Sequence, residues 1–197
     1  MHLGVRLSLY KDCEIQRDTC NHITVHYFLQ TRSTRTSYQT RSIMASTPST
    51  SDLRKSIETT ARAFLSAFEE GGARNDASII NRDVTADCTR HLIPASVPQA
   101  FGLPTDFSFD TTSFQEAYAK DIKVLSFKNN IMSNLVIDTE ARRAAFTSCA
   151  EVEPHEGEKY TVEQAWVLYL TEDGSKIKKV IEFCDKDAIL RMANASA

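Results

Sequence analysis

Residues Tyr160–Lys186, YTVEQAWVLYLTEDGSKIKKVIEFCDK, decide how this chain folds. Val162–Thr171 alternates, Glu172-Asp173-Gly174-Ser175 supplies turn residues, and a second alternating run returns over Lys176–Cys184. The stretch is predicted as a long β-hairpin that closes a sheet. Alternate residues of a strand share a face. Ala165, Val167, Tyr169 and Thr171 therefore lie on one side, and Gln164, Trp166, Leu168 and Leu170 on the other. On the returning strand Ile177, Lys179, Ile181 and Phe183 share one face, and Val180, Glu182 and Cys184 the other. A carboxylate set among Val180, Ile181, Phe183 and Cys184 is costly to bury unless it has a partner or a task, which makes Glu182 the first candidate for chemistry. A wet outer face or a lysine partner would accommodate the same pattern.

Outward from the hairpin, polar chemistry concentrates again in Val84–Pro94, VTADCTRHLIP, read as a strand stopped by proline. Arg90 shares a face with Cys88 and Leu92, and a guanidinium there calls for an anion, either Glu182 or a substrate oxygen. A surface arginine with its stem on apolar atoms is the plainer alternative. Asp87 and His91 occupy the opposite face as candidate binding residues, His91 either as a proton carrier or as hydrogen-bonded structure.

Apolar spacings of three and four over Ser51–Glu70 predict an amphipathic helix, capped by Ser51 and ended by Gly71-Gly72. Arg74–Asn81 suits a short second helix. Ala95–Thr112, with Phe101, Phe107 and Phe109, is expected as a binding loop or lid. Helical spacing resumes from Ser113 to Leu125, with Tyr118 either in a pocket or in plain core. Ile131–Asp138 and Arg143–Glu153 are expected as two strands, the second carrying Glu151 as a further candidate carboxylate. Lys186–Met192 suits a last helical turn or a fraying tail.

Composition narrows the function classes. With 197 residues, 42% hydrophobic and 25% charged, the chain suits one globular domain and a tail. A net charge of −3 offers no basic footprint for nucleic acid. No apolar run reaches the roughly 18 residues of a membrane span. Five widely spaced cysteines without C-x-x-C suggest reduced, mostly buried thiols and a cytoplasmic protein rather than disulfides or zinc. No G-x-G-x-x-G, P-loop, H-E-x-x-H or G-x-S-x-G pattern supports a nucleotide cofactor, a metal centre or a serine hydrolase. Residues 1–50 differ from the rest. They are rich in Arg, Ser and Thr and hold no acid from Thr19 to Ser51, as in a transit peptide, while Met44-Ala45-Ser46-Thr47 reads as an ordinary start. They are expected as a disordered leader, tail or extension before a domain at 51–192, with a tail at 193–197.

The order helix, short helix, strand, loop, helix and four strands is similar to the nuclear transport factor 2-like superfamily. More narrowly, it resembles the SnoaL-like proteins of filamentous fungi that accompany secondary-metabolite pathways. AFLSAFEEGG, DCTRHLIPAS and KKVIEFCDK carry the resemblance. It implies an α+β fold, a curved antiparallel sheet wrapped around N-terminal helices into a cone with a pocket at its wide end. It also implies a cofactor-independent isomerase, cyclase or dehydratase acting on a small hydrophobic oxygenated substrate, and a homodimer formed through the outer sheet face. By that analogy Arg90 and Glu182 are pocket residues and the catalytic pair, with Tyr169 as a hydroxyl donor; His91, Asp87, Tyr118, Glu151 and Trp166 are the candidate substrate-binding residues beside them. The Asp and His dyad of bacterial polyketide cyclases and the paired histidines of scytalone dehydratases are not evident. A small-molecule carrier and a protein-interaction adaptor are the alternatives on the same fold.

Overall fold

The computed structural model describes residues 49–195, so the expectations for residues 1–48, including Cys13, Cys20 and the Met44 start, lie outside the described residues. Helix α1 (Thr50–Arg74) places Leu53, Ile57, Ala61, Phe64, Leu65 and Phe68 on one buried stripe. Two details differ from the sequence reading. Ser49, not Ser51, caps the helix by accepting from the Asp52 amide at 3.2 Å. The helix also runs through Gly71 and Gly72 and stops at Asn75, which is left-handed at φ 49°. Gly71 serves close approach instead of termination, since a Cβ there would lie 2.6 Å from Tyr118 Oη.

A 3-10 turn (Ala77–Asn81) leads into strand β1 (Val84–Ile93). Helix α2 (Ser96–Ala100) and the two-residue strand β2 (Ser108–Phe109) fill what was expected as an open loop. Helix α3 (Thr111–Asp121) starts at a capping box in which Asp110 and Ser113 bind each other's backbone amides. Strands β3 (Leu125–Asp138), β4 (Arg143–Pro154), β5 (Tyr160–Leu170) and β6 (Ile177–Cys184) follow, and helix α4 (Lys186–Ala195) ends the described chain. Ala193, expected in the tail, is buried on α4.

The six strands form one open sheet in the order β2-β1-β6-β5-β4-β3, antiparallel except where β1 runs parallel to β6. The β5–β6 hairpin thus lies at the centre of the sheet, not at its closing edge. Its tip docks on α1: Thr60 Oγ1 donates to the Gly174 carbonyl at 2.7 Å, and Ser56 Oγ to that of Asp173 at 2.8 Å. Gly174 sits at φ +71°, where a Cβ would come within 2.8 Å of Ile57 Cγ1. One sequence assignment fails on this hairpin. Ile177 is fully buried with Val180, because Tyr169 pairs with Lys179 but Leu170 with Ile177, and the extra residue Lys178 reverses the alternation.

The inner face of the sheet closes over α1. Phe64 and Phe68 meet Trp166 edge-on or tilted at 5.3 and 5.7 Å between ring centres. Burying each such side chain is worth roughly 1.5–3 kcal/mol, so this aromatic cluster anchors the helix in the sheet. Cys88 and Cys184 are buried free thiols, whereas Cys149 is exposed. No helix among the described residues is long and apolar enough to cross a membrane.

Candidate active site

Between α1, α3, α4 and the inner sheet face lies a cavity of about 90 Å³. It is narrow and mostly apolar. Phe68, Phe109, Phe114, Phe127, Tyr118 and Trp166 wall it, and Ile189, Met192 and Ala193 of α4 cover one side. Apolar walls with a few fixed polar groups are the usual make-up of a small-molecule site. Those polar groups are Glu182, Gln164, Asn130 and Asp121.

Glu182 faces inward because β6 alternates, and it is 6% exposed. Gln164, on neighbouring β5, donates from Nε2 to Glu182 Oε1 at 2.5 Å. Burial pushes the Glu182 carboxyl up to about 7, against the opposing influence of the Gln164 hydrogen bond and the Arg90 charge. A carboxyl in that range can hold or release its proton at neutral pH.

Arg90 lies on the same inner face of the adjacent strand, its position paired with Val180 and that of Leu92 with Glu182. It is 2% exposed, yet no ion pair joins it to Glu182. Nη2 donates to the Ile80 carbonyl at 2.8 Å and reaches Asn81 Oδ1 at 3.5 Å. The guanidinium lies over the Phe114 ring at 4.0 Å and the Phe64 ring at 5.4 Å. Burial lowers its pKa to about 10, which leaves it charged at neutral pH. Phe114 lines the cavity and Arg90 does not, so the structure brings the cation close behind the wall and not into the hollow. Loss of hydration outweighs mutual attraction at both groups, as expected for charges that are near but unpaired.

The remaining sequence candidates divide by face. Tyr118 and Trp166 line the cavity, but their polar atoms are committed: Tyr118 Oη donates to the Phe68 carbonyl at 2.6 Å and Trp166 Nε1 to Ser148 Oγ at 2.8 Å. Tyr169 is not brought to the cavity. It stands on the outer face between Arg143 (4.5 Å) and Lys179 (5.6 Å), where cation–π contact holds it away from any substrate within. His91 is also outward, bound to Thr89 Oγ1 at 3.0 Å, with its pKa lowered by burial and by Lys179. Asp87 is exposed, and Glu151 shares the outer face of β4 with exposed Cys149. Gln164, Asn130 and Asp121 are the cavity-lining polar residues that sequence reasoning missed. Gln164 was legible from its place between Val162 and Trp166 on the inward face; Asn130 and Asp121 were not. Among the described residues no three His, Cys, Asp or Glu side chains gather as a metal site would need.

No protein-family model and no curated protein sequence matches the chain. Solved structures do. The BvnE pinacolase from Penicillium brevicompactum superposes with a TM-score of 0.58 at 18% identity, over 73% of this chain and 95% of that one. PrhC from Penicillium brasilianum gives 0.59 at 17% identity, over 73% and 89%. A nuclear transport factor 2-like protein of unknown function from Burkholderia pseudomallei gives 0.52 at 11% identity, over 70% and 97%. The described residues therefore have the nuclear transport factor 2-like, SnoaL-like fold, an α+β cone, as the order of elements had implied.

Proposed function

We propose that the protein is a cofactor-independent acid/base enzyme that tailors a fungal secondary-metabolite intermediate, with Glu182 as the proton-transfer group. The observation that carries this reading is a carboxyl buried in an aromatic cavity and pushed up to about 7. The tailoring role is supported by the fold shared with fungal proteins such as a pinacolase. Gln164 fixes Oε1, which leaves Oε2 to meet substrate. The Glu182 carboxylate takes a proton from carbon beside a carbonyl, the electron pair passes to the carbonyl oxygen as an enolate, and the neutral acid returns the proton at another atom. Isomerisation, cyclisation and dehydration all follow from that step without net redox change. Arg90 is a positioning residue in this scheme. Its charge behind Phe114 favours the carboxylate and any negative charge developing in the low-dielectric hollow.

The test is solvent exchange. An enolisable diketone incubated with the protein in heavy water should gain deuterium beside its carbonyl, followed by NMR. Glu182→Gln should slow that exchange on the order of 10²-fold to 10⁴-fold. Exchange at the parental rate in the variant would remove Glu182 from the mechanism. Binding without exchange in either protein would instead support a carrier.

A further inference from the structure

Strand β3 departs from simple alternation at one place that matters to the cavity. Lys128 pairs with Glu151 and Ile131 with Cys149, so three steps on β3 face two on β4, and Asn129 takes φ 50° at the bulge. Unbroken alternation from Phe127 would turn Asn129 and Ile131 inward. The bulge does the reverse: Asn130 lines the cavity, and Ile131 is left 63% exposed. Exposing an isoleucine to turn a half-buried amide inward runs against the hydrophobic gain, and bulges beside sites commonly re-aim one side chain. The amide's orientation follows from its one partner. Nδ2 donates to the Leu65 carbonyl at 3.4 Å, so Oδ1 is the free end, buried and without a partner in the protein. An acceptor in that condition gains more from a donor than a solvated one would.

The sheet also fixes its distance from Glu182. The bulge sets Asn129 and Asn130 opposite Ala150, which pairs with Val162, and Glu182 belongs to the row Glu182–Trp166–Phe146. Three strand spacings, roughly 14 Å, and the four residues from Val162 to Trp166, roughly 13 Å along β5, separate the two rows on the curved sheet. Between them the floor is Ala150, Val162, Gln164 and Trp166, all lining residues. We propose that Asn130 is a second polar subsite, whose Oδ1 accepts the hydroxyl of an elongated aromatic hydroxy ketone while the ketone end lies at Glu182. This rests on the reading of the cavity as a substrate site, and it adds a specificity-determining residue and a substrate class.

Trp166 is the only tryptophan of the chain and stands in the cavity wall, so its emission reports occupancy without any turnover. The probes are 1,3-diphenylpropane-1,3-dione and its 4-hydroxy derivative, titrated against the full chain. The hydroxylated probe should bind roughly fivefold more tightly or better, the size of one neutral hydrogen bond. Asn130→Ala and Asn130→Leu, checked for folding by thermal melting, should erase that preference. Glu182→Gln should keep it, so loss of the subsite and loss of the catalytic reading give different results. Equal affinity of the parent protein for the two probes overturns the proposal with no variant needed. So does quenching by neither probe, or a preference that survives in a folded Asn130 variant.

Discussion

Glu182 couples the site to stability as well as to chemistry. Its carboxyl titrates near 4.5 when solvated and near 7 when folded. Between those values the folded chain holds more protons than the unfolded one, so stability falls as pH rises and the loss is complete above the folded value. The difference corresponds to on the order of 3 kcal/mol. A glutamine cannot ionise but can still accept from Gln164 Nε2. Glu182→Gln should therefore melt near the parent temperature at pH 4.5 and several degrees above it at pH 8. An identical offset at both pH values would mean that Glu182 is ionised in the folded protein at little cost. Glu182 and Arg90 were legible in the sequence because each interrupts an apolar set with a full charge. Asn130 was not legible: an uncharged amide on a strand is ordinary, and its direction depends on a bulge that no local residue announces. Tyr169 and Trp166 sit three residues apart on a strand apolar on both sides, so alternation separated them without saying which side was inside.

At the scale of elements, Gly71 and Gly72 show how one dipeptide carries two physical meanings. Both read as helix terminators, yet α1 passes through them to Asn75. Gly72 has only ordinary room around it, since an added Cβ would find Ile122 Cγ2 at 3.7 Å. Gly72→Ala should then raise stability by about 0.5–1 kcal/mol, the helix-propensity difference. Gly71→Ala gains the same propensity but sets its Cβ 2.6 Å from Tyr118 Oη and 2.9 Å from Cε1, which displaces a buried ring hydrogen-bonded to α1. It should lose stability by about 1–3 kcal/mol. Denaturant melts of the two variants check this, and equal effects would show that Tyr118 yields without cost. The β3–β4 and β5–β6 hairpins were legible from period-two patterning and turn residues, because one buried face constrains register, whereas the parallel pairing of β1 with β6 was not. The central place of the hairpin was not, since sequence order says little about which strands become edges. Nor was the reversal at Ile177, where the pairing itself inserts the extra residue.

For the whole molecule, the outer face of the sheet is the surface that the described helices leave uncovered. Pairing places Ile181, Val167, Ala145 and Val136 side by side across β6, β5, β4 and β3, with Phe183 and Ala165 in the next row. Val136 is 65% and Phe183 54% exposed. A contiguous apolar band of this kind on a monomer marks a contact surface more often than bare surface. A two-fold axis would seat one copy on another with the same residues on both sides. We propose that the protein dimerises through this band, leaving each cavity closed within its own protomer. Sedimentation should report a dimer at micromolar concentration, and Val136→Glu or Val167→Asp should shift it to monomer, because each copy would bury a charge opposite its symmetry mate. Solvent exchange of the diketone should continue in those monomers, as no outer-face residue lines the cavity. A monomeric parent protein would leave the band to another partner, and exchange lost together with the dimer would show that the sheet needs its second copy to hold Glu182 in place.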